Sequence, residues 1–76
     1  MEINEFINKF AEIFDDTDAS ALTPETKFRE LDEWSSLTAL GLIALADEEF
    51  DVDLKGDDVK KSETIGDLFN VIKSKA

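Results

Sequence analysis

The sequence predicts an all-α protein: a small four-helix bundle with three longer helices, a short third helix and a long loop between the first two. Three observations predict it. Apolar residues recur at three- and four-residue spacing near both ends of the chain, residues 38–50 form one mostly apolar run, and strand-type alternation is missing. The 76 residues suit one domain, 1–76, of a size that buries only about 60–65% of its unfolded surface. A hydrophobic fraction of 42% with six phenylalanines is enough for a modest core.

Taken in order, Ile3, Phe6, Ile7, Phe10 and Phe14 form the stripe of an amphipathic helix ending near Asp15, with Glu2, Glu5, Lys9 and Glu12 off it. Asp15-Asp16-Thr17-Asp18 breaks it, and residues 20–34 lack sustained periodicity. Within them, Thr23-Pro24-Glu25 reads as a cap followed by proline at a first helical position, hence one short turn. Phe28, Leu31 and Trp34 are the expected anchors of this connection, whose length points to function or internal packing. The second helix starts at Ser35 or Ser36. Leu37, Leu40, Ile43, Ala44 and Phe50 make one stripe, and Leu42, Leu45 and Ala46 extend it most of the way round, so this helix is expected to be central. Gly41 in its middle costs about 1 kcal/mol relative to alanine, which points to close packing or a reduced side-chain demand. A loop at 51–58 leads to a short third helix at 57–61. Thr64 then caps the fourth, with Asp67 in the capping-box position, a stripe of Ile65, Leu68, Phe69 and Ile72, and Lys73 and Lys75 at the negative end of its dipole.

Composition removes whole classes of chemistry. With no cysteine there are no disulfides, no thiolate nucleophile and no sulfur-ligated metal; with no histidine, zinc and haem lack a ligand set. A net charge of −11 repels nucleic acid and anionic membranes, and steers the chain toward basic patches on partner proteins. Self-repulsion at that charge should make salt stabilising. The amino terminus lacks the basic region of a signal peptide and the apolar stretch 40–46 is too short to span a bilayer, so a cytoplasmic location is expected.

The stretch Leu31-Asp32-Glu33-Trp34-Ser35-Ser36-Leu37 places a serine at the mouth of the apolar helix. Such a serine could be a nucleophile, a cap or an attachment point. A nucleophile needs a base within hydrogen-bond reach; histidine is absent, and Lys27 and Lys55 flank the helix instead of lying on it. Cap and attachment point remain, and one residue can be both. Asp51-Val52-Asp53-Leu54-Lys55-Gly56 matches the start of an EF-hand loop at positions one, three and six. Lys55 and Ser62 stand where oxygen ligands are needed at five and twelve, which leaves only weak divalent binding open.

Read in this order, the chain resembles an acyl carrier protein along essentially its full length. The residues that carry the resemblance are Ser35-Ser36-Leu37 at the helix start, then Leu40, Leu42, Ile43 and Leu45, the close Asp47-Glu48-Glu49-Phe50, and Thr64-Ile65-Gly66-Asp67-Leu68. The resemblance implies a non-enzymatic carrier in which Ser36 bears 4′-phosphopantetheine, whose thiol holds acyl groups as thioesters for fatty-acid- or polyketide-type synthesis. It also implies modification by a phosphopantetheinyl transferase and docking to acyl-transfer and synthesis enzymes through basic patches, with the carrier a monomer. The implied docking residues are Glu33, Trp34, Ser35, Leu37, Ala44, Asp47 and Glu48. Two departures stand out: Ser35 replaces the family's aspartate, and Thr38 and Gly41 occupy positions that are often acidic. Trp34 beside the serine is similar to a subset of stand-alone carriers outside primary fatty-acid synthesis. Peptidyl and alanyl carriers share the architecture, and an unmodified acidic adaptor binding a basic partner is the alternative that Ser35 best supports. Leu37 reads either as partner-facing or as ordinary core.

Overall fold

The computed structural model describes residues 2–75. Its order is α1 (Ile3–Ala11), single 3-10 turns at Ala19–Ala21 and Phe28–Glu30, α2 (Ser36–Phe50), α3 (Gly56–Lys61) and α4 (Ile65–Lys75). α2 packs on α1 and α3, and α4 on the same two helices. No strand forms among the described residues; one isolated antiparallel bridge joins Lys27 to Thr64. This is the four-helix bundle that the apolar spacing predicts.

The core is made where the stripes meet. Phe6 and Phe10 of α1 and Ile65, Leu68 and Ile72 of α4 are fully covered, with Phe28 from the long connection between them. Phe6 lies 5.9 Å from both Phe10 and Phe69, and Phe10 meets Phe14 edge-on at 5.2 Å. Aromatic pairs at these separations add about 0.5–1.5 kcal/mol each beyond area burial. Thr64 caps α4 as expected: its hydroxyl accepts from the Asp67 N–H, and the Asp67 carboxylate accepts from the N–H groups of Thr64 and Glu63.

Two expectations change. α1 ends at Ala11 instead of near Asp15, because Glu12, Ile13 and Phe14 bond three residues back, to Lys9, Phe10 and Ala11. The final turn tightens, which still buries Phe14. α2 is not central. Of its apolar residues only Leu42 and Ala46 are buried; Ala44 is exposed, Leu37 is 79% exposed and Leu40 62% exposed. Apolarity all round signals burial only when neighbours exist on every side, and here α2 has its main helix neighbours on the α1 and α3 sides. Leu45, expected in the core, is half-buried.

α2 closes on Asp51 in the left-handed region (φ 55°), with the Val52 N–H reaching back to the Ala46 carbonyl. The following segment alternates, burying Val52 and Leu54 and leaving Asp51, Asp53 and Lys55 outside. Its carboxylates diverge: Asp53 pairs with Lys55 at 2.7 Å and Asp58 with Lys75 at 2.8 Å. Among the described residues no three acidic side chains converge as a metal site would require.

Candidate functional site

The approach to α2 is fastened before the helix begins. The Glu33 carboxylate accepts from the backbone N–H groups of Asp15 and Asp16 and from the Thr17 hydroxyl, tying this loop to the segment that follows α1. The Thr17 hydroxyl above all, then the Asp16 amide, holds the Glu33 carboxyl below the usual glutamate range. Trp34, half-buried, meets Phe28 edge-on at 4.8 Å and Phe10 at 6.5 Å. Between these anchors and α3, Arg29 donates from one guanidinium nitrogen to the carbonyls of Val59 (3.0 Å) and Lys60 (3.2 Å), the open end of that helix.

Ser35 and Ser36 then divide two tasks. Ser35 is the N-cap: its backbone is extended, its hydroxyl accepts a long bond from the Thr38 N–H (3.5 Å), and its own N–H donates to the Thr38 hydroxyl at 2.6 Å. Thr38 supplies the reciprocal half of a capping box, a place where Glu or Gln is usual. Ser36 is the first residue of α2, with an exposed side chain. Among the described residues the N–H groups of Ser36 and Leu37 have no acceptor, and the first turn of α2 contains no acid. An exposed hydroxyl beside free N–H groups at the positive end of a 15-residue helix is well placed to bear a phosphate ester.

Beside it opens a cleft of about 330 Å³, near the lower end of the usual ligand-pocket range. One wall is α2, through Ser36, Ala39, Leu40 and Ile43; the other is α3, through Gly56, Val59 and Lys60. Trp34, Ser35 and Arg29 complete the lining, which is mainly apolar.

The expected docking residues fall into two groups. Leu37, Ala44 and Asp47, with Leu40, repeat at three- and four-residue spacing along one exposed face of α2, and Glu48 adjoins it, also exposed. Ser35 is exposed at the start of that face. Glu33 and Trp34 also make intramolecular contacts, the first to Asp15, Asp16 and Thr17 and the second to the aromatic cluster. The exposure of Leu37 excludes its reading as ordinary core. Leu40, Arg29, Val59 and Lys60 were not singled out as site residues by sequence. Leu40 is indistinguishable in pattern from a core leucine, and nothing local shows that the two cations face Ser36.

Comparison with known proteins decides the class. Residues 4–72 match the family described as phosphopantetheine attachment site. The chain belongs to this family. Among its curated relatives is an acyl carrier protein from a Picosynechococcus species, 35% identical over 60 residues, which cover 79% of this chain and 74% of the relative. Among solved structures, the solution structure of holo acyl carrier protein from Geobacter metallireducens superposes with a TM-score of 0.79 at 26% identity, covering 96% of this chain and 83% of that one. The protein is thus an acyl carrier protein with 4′-phosphopantetheine as its prosthetic group. An unmodified adaptor is not favoured, and Ser35, its main support, has a structural task in the Thr38 capping box. The site suits the group on its own chemistry: an accessible hydroxyl, unpartnered N–H donors for the phosphate and an apolar cleft alongside. When bound, the group supplies a terminal thiol that holds acyl groups as thioesters, a thiol this cysteine-free chain lacks. Among the described residues no helix is long and apolar enough to cross a membrane.

Proposed function

We propose that Ser36 is the attachment residue and that the exposed face Leu37, Leu40, Ala44, Asp47 and Glu48 presents the carrier to its enzymes. The observation that carries this reading is the placement of Ser36. Its hydroxyl is exposed at the first helical position, beside two free backbone N–H groups and at the mouth of the apolar cleft. Ser35, one residue earlier, is held by the cap it makes with Thr38. The chain catalyses nothing itself. Residues 1–76 act as one carrier domain, monomeric and cytoplasmic, without affinity for nucleic acid or membrane, and tethering raises the effective concentration of the acyl group at each docked enzyme. The enzymes served are a phosphopantetheinyl transferase and acyl-transfer and synthesis enzymes of fatty-acid or polyketide type. They are met through basic patches that the −11 charge attracts.

The test is intact mass after incubation with coenzyme A, magnesium and a broad-specificity phosphopantetheinyl transferase. Wild type and Ser35→Ala should each gain one phosphopantetheine and Ser36→Ala none. Modification that follows Ser35, or an unmodified wild type beside an active control carrier, would overturn the assignment.

A further inference from the structure

In a chain with 19 acidic and eight basic residues, the cleft beside Ser36 has an inverted charge. Arg29 and Lys60 line it, and no carboxylate does among the described residues. Among the described residues neither cation is in an ion pair; those formed join Lys9 to Glu49, Lys55 to Asp53 and Lys75 to Asp58. On its other side Arg29 borders a shallow recess shared with Glu30 and Glu63 without an ion pair to either. Its guanidinium is held in place, with one nitrogen on the Val59 and Lys60 carbonyls and its carbon 5.3 Å from the Phe28 ring centroid, and its remaining N–H donors are uncommitted. Lys60 sits on the α3 wall, across the cleft from α2. The rest of the lining is mainly apolar, through Ala39, Leu40, Ile43 and Val59.

An apolar cleft rimmed by two exposed cations, Arg29 from the connection and Lys60 from α3, suits one class of occupant, an aliphatic chain bearing an anionic group. We infer that Arg29 and Lys60 make the cleft selective for acyl cargo carrying a carboxylate. This rests on Ser36 as the attachment residue. The phosphodiester at Ser36 is a second anion within the carrier, but the free N–H groups of Ser36 and Leu37 already face it at the helix start. The α3 wall is left for the cargo. Low-dielectric walls strengthen such a contact, and added salt weakens it. Arg29 also satisfies carbonyls at the end of α3, whereas no hydrogen bond or ion pair is formed by the Lys60 side chain among the described residues. The two variants therefore separate charge from fold.

The experiment loads the carrier through the transferase with a monocarboxylic acyl group or with the dicarboxylic acyl group of equal length. Thioester cleavage by hydroxylamine is then compared with the same thioester on free pantetheine. The dicarboxylic cargo should be shielded roughly threefold more than the plain one at low salt, with the difference lost in Lys60→Gln, in Arg29→Gln and at high salt. Equal shielding of the two cargoes, or a difference that survives Lys60→Gln in a protein with an unchanged melting curve, would overturn the inference. So would a phosphorus resonance that moves on either substitution in the carrier without cargo while the two cargoes stay equally shielded; that result assigns the cations to the phosphodiester. Failure of the Ser36 reading is seen separately, as absence of any mass gain at the loading step.

Discussion

Leu37→Ala separates docking from stability, because the structure leaves 79% of that side chain open. Complete burial of a leucine is worth about 1.5–3 kcal/mol, so covering the open part at an enzyme surface contributes about 1.2–2.4 kcal/mol. At about 1.4 kcal/mol per factor of ten, kcat/KM for modification by the transferase should fall roughly seven- to fiftyfold, through KM with kcat nearly unchanged. Stability should hardly respond. The side chain already faces solvent and alanine is at least as good a helix former, so the urea midpoint should stay within about 0.5 kcal/mol of wild type. Leu42→Ala on the same helix is the control: Leu42 is fully buried, and its loss should cost about 2–5 kcal/mol. Urea melts and single-turnover modification read by mass supply both numbers. A Leu37→Ala variant that loses stability on the Leu42 scale would show that the face is covered in solution. An unchanged kcat/KM would remove Leu37 from the docking surface.

The remaining predictions concern the scaffold. A Cβ built on Gly41 would stand 3.0 Å from the Ile13 Cγ2 methyl, so Gly41→Ala sets a helix-propensity gain of about 1 kcal/mol against overpacking. Ile13 is half-buried in the turn after α1 and can yield slightly, so the urea midpoint should barely move in wild type but rise by the full gain in an Ile13→Leu background, which lacks that methyl; equal effects in both would show that the contact is not limiting. Phe28→Ala removes a fully buried ring at about 3–5 kcal/mol, against a total near 4–11 kcal/mol for a chain of this size, and should leave a partly unfolded protein by circular dichroism. Glu33, Asp58 and Asp67 have carboxyl pKa values held below their ordinary range, Glu33 chiefly by the Thr17 hydroxyl, Asp58 by Lys75 and Asp67 by the Glu63 amide. Groups depressed in the fold bind protons more readily when unfolded, so their contribution is present above the unfolded pKa of about 4 and is lost as pH falls through the folded values. Acid melts should show that loss, and Glu33→Gln should flatten it; an identical acid limb in the variant would place the latch elsewhere.

What the sequence disclosed follows physical range. The stripe Ile65, Leu68, Phe69, Ile72 and its Thr64 cap are local, set by spacing and by one hydroxyl, and the structure has them as the spacing predicts. The start of α2 was legible for the same reason. The neighbours of α2 were not legible, since whether Leu40 meets another helix or solvent depends on how many elements exist to cover it. Val52 and Leu54 were hidden in a loop because alternation over so few residues is too short to register. Gly41 announced a constraint but not its partner, which lies on α1. The roles of Arg29 and Glu33 were equally invisible: each closes a contact across the chain, Arg29 to the end of α3 and Glu33 to Asp15 and Thr17 beyond α1.

The Glu33 contacts bear finally on how far an attached arm can search. A serine carried on a slack loop would add the wandering of the loop to that of the arm. Here Glu33 is bonded to the segment that follows α1, Trp34 is wedged against Phe28, and the Ser35–Thr38 pair sets the first turn. With Ser36 as the proposed attachment residue, the arm would swing from a fixed pivot whose direction is given by α2 itself. On that proposal, an enzyme that grips the exposed face Leu37, Leu40 and Ala44 would also aim the arm, so the angle at which the helix is held would become the address to which the thioester is delivered.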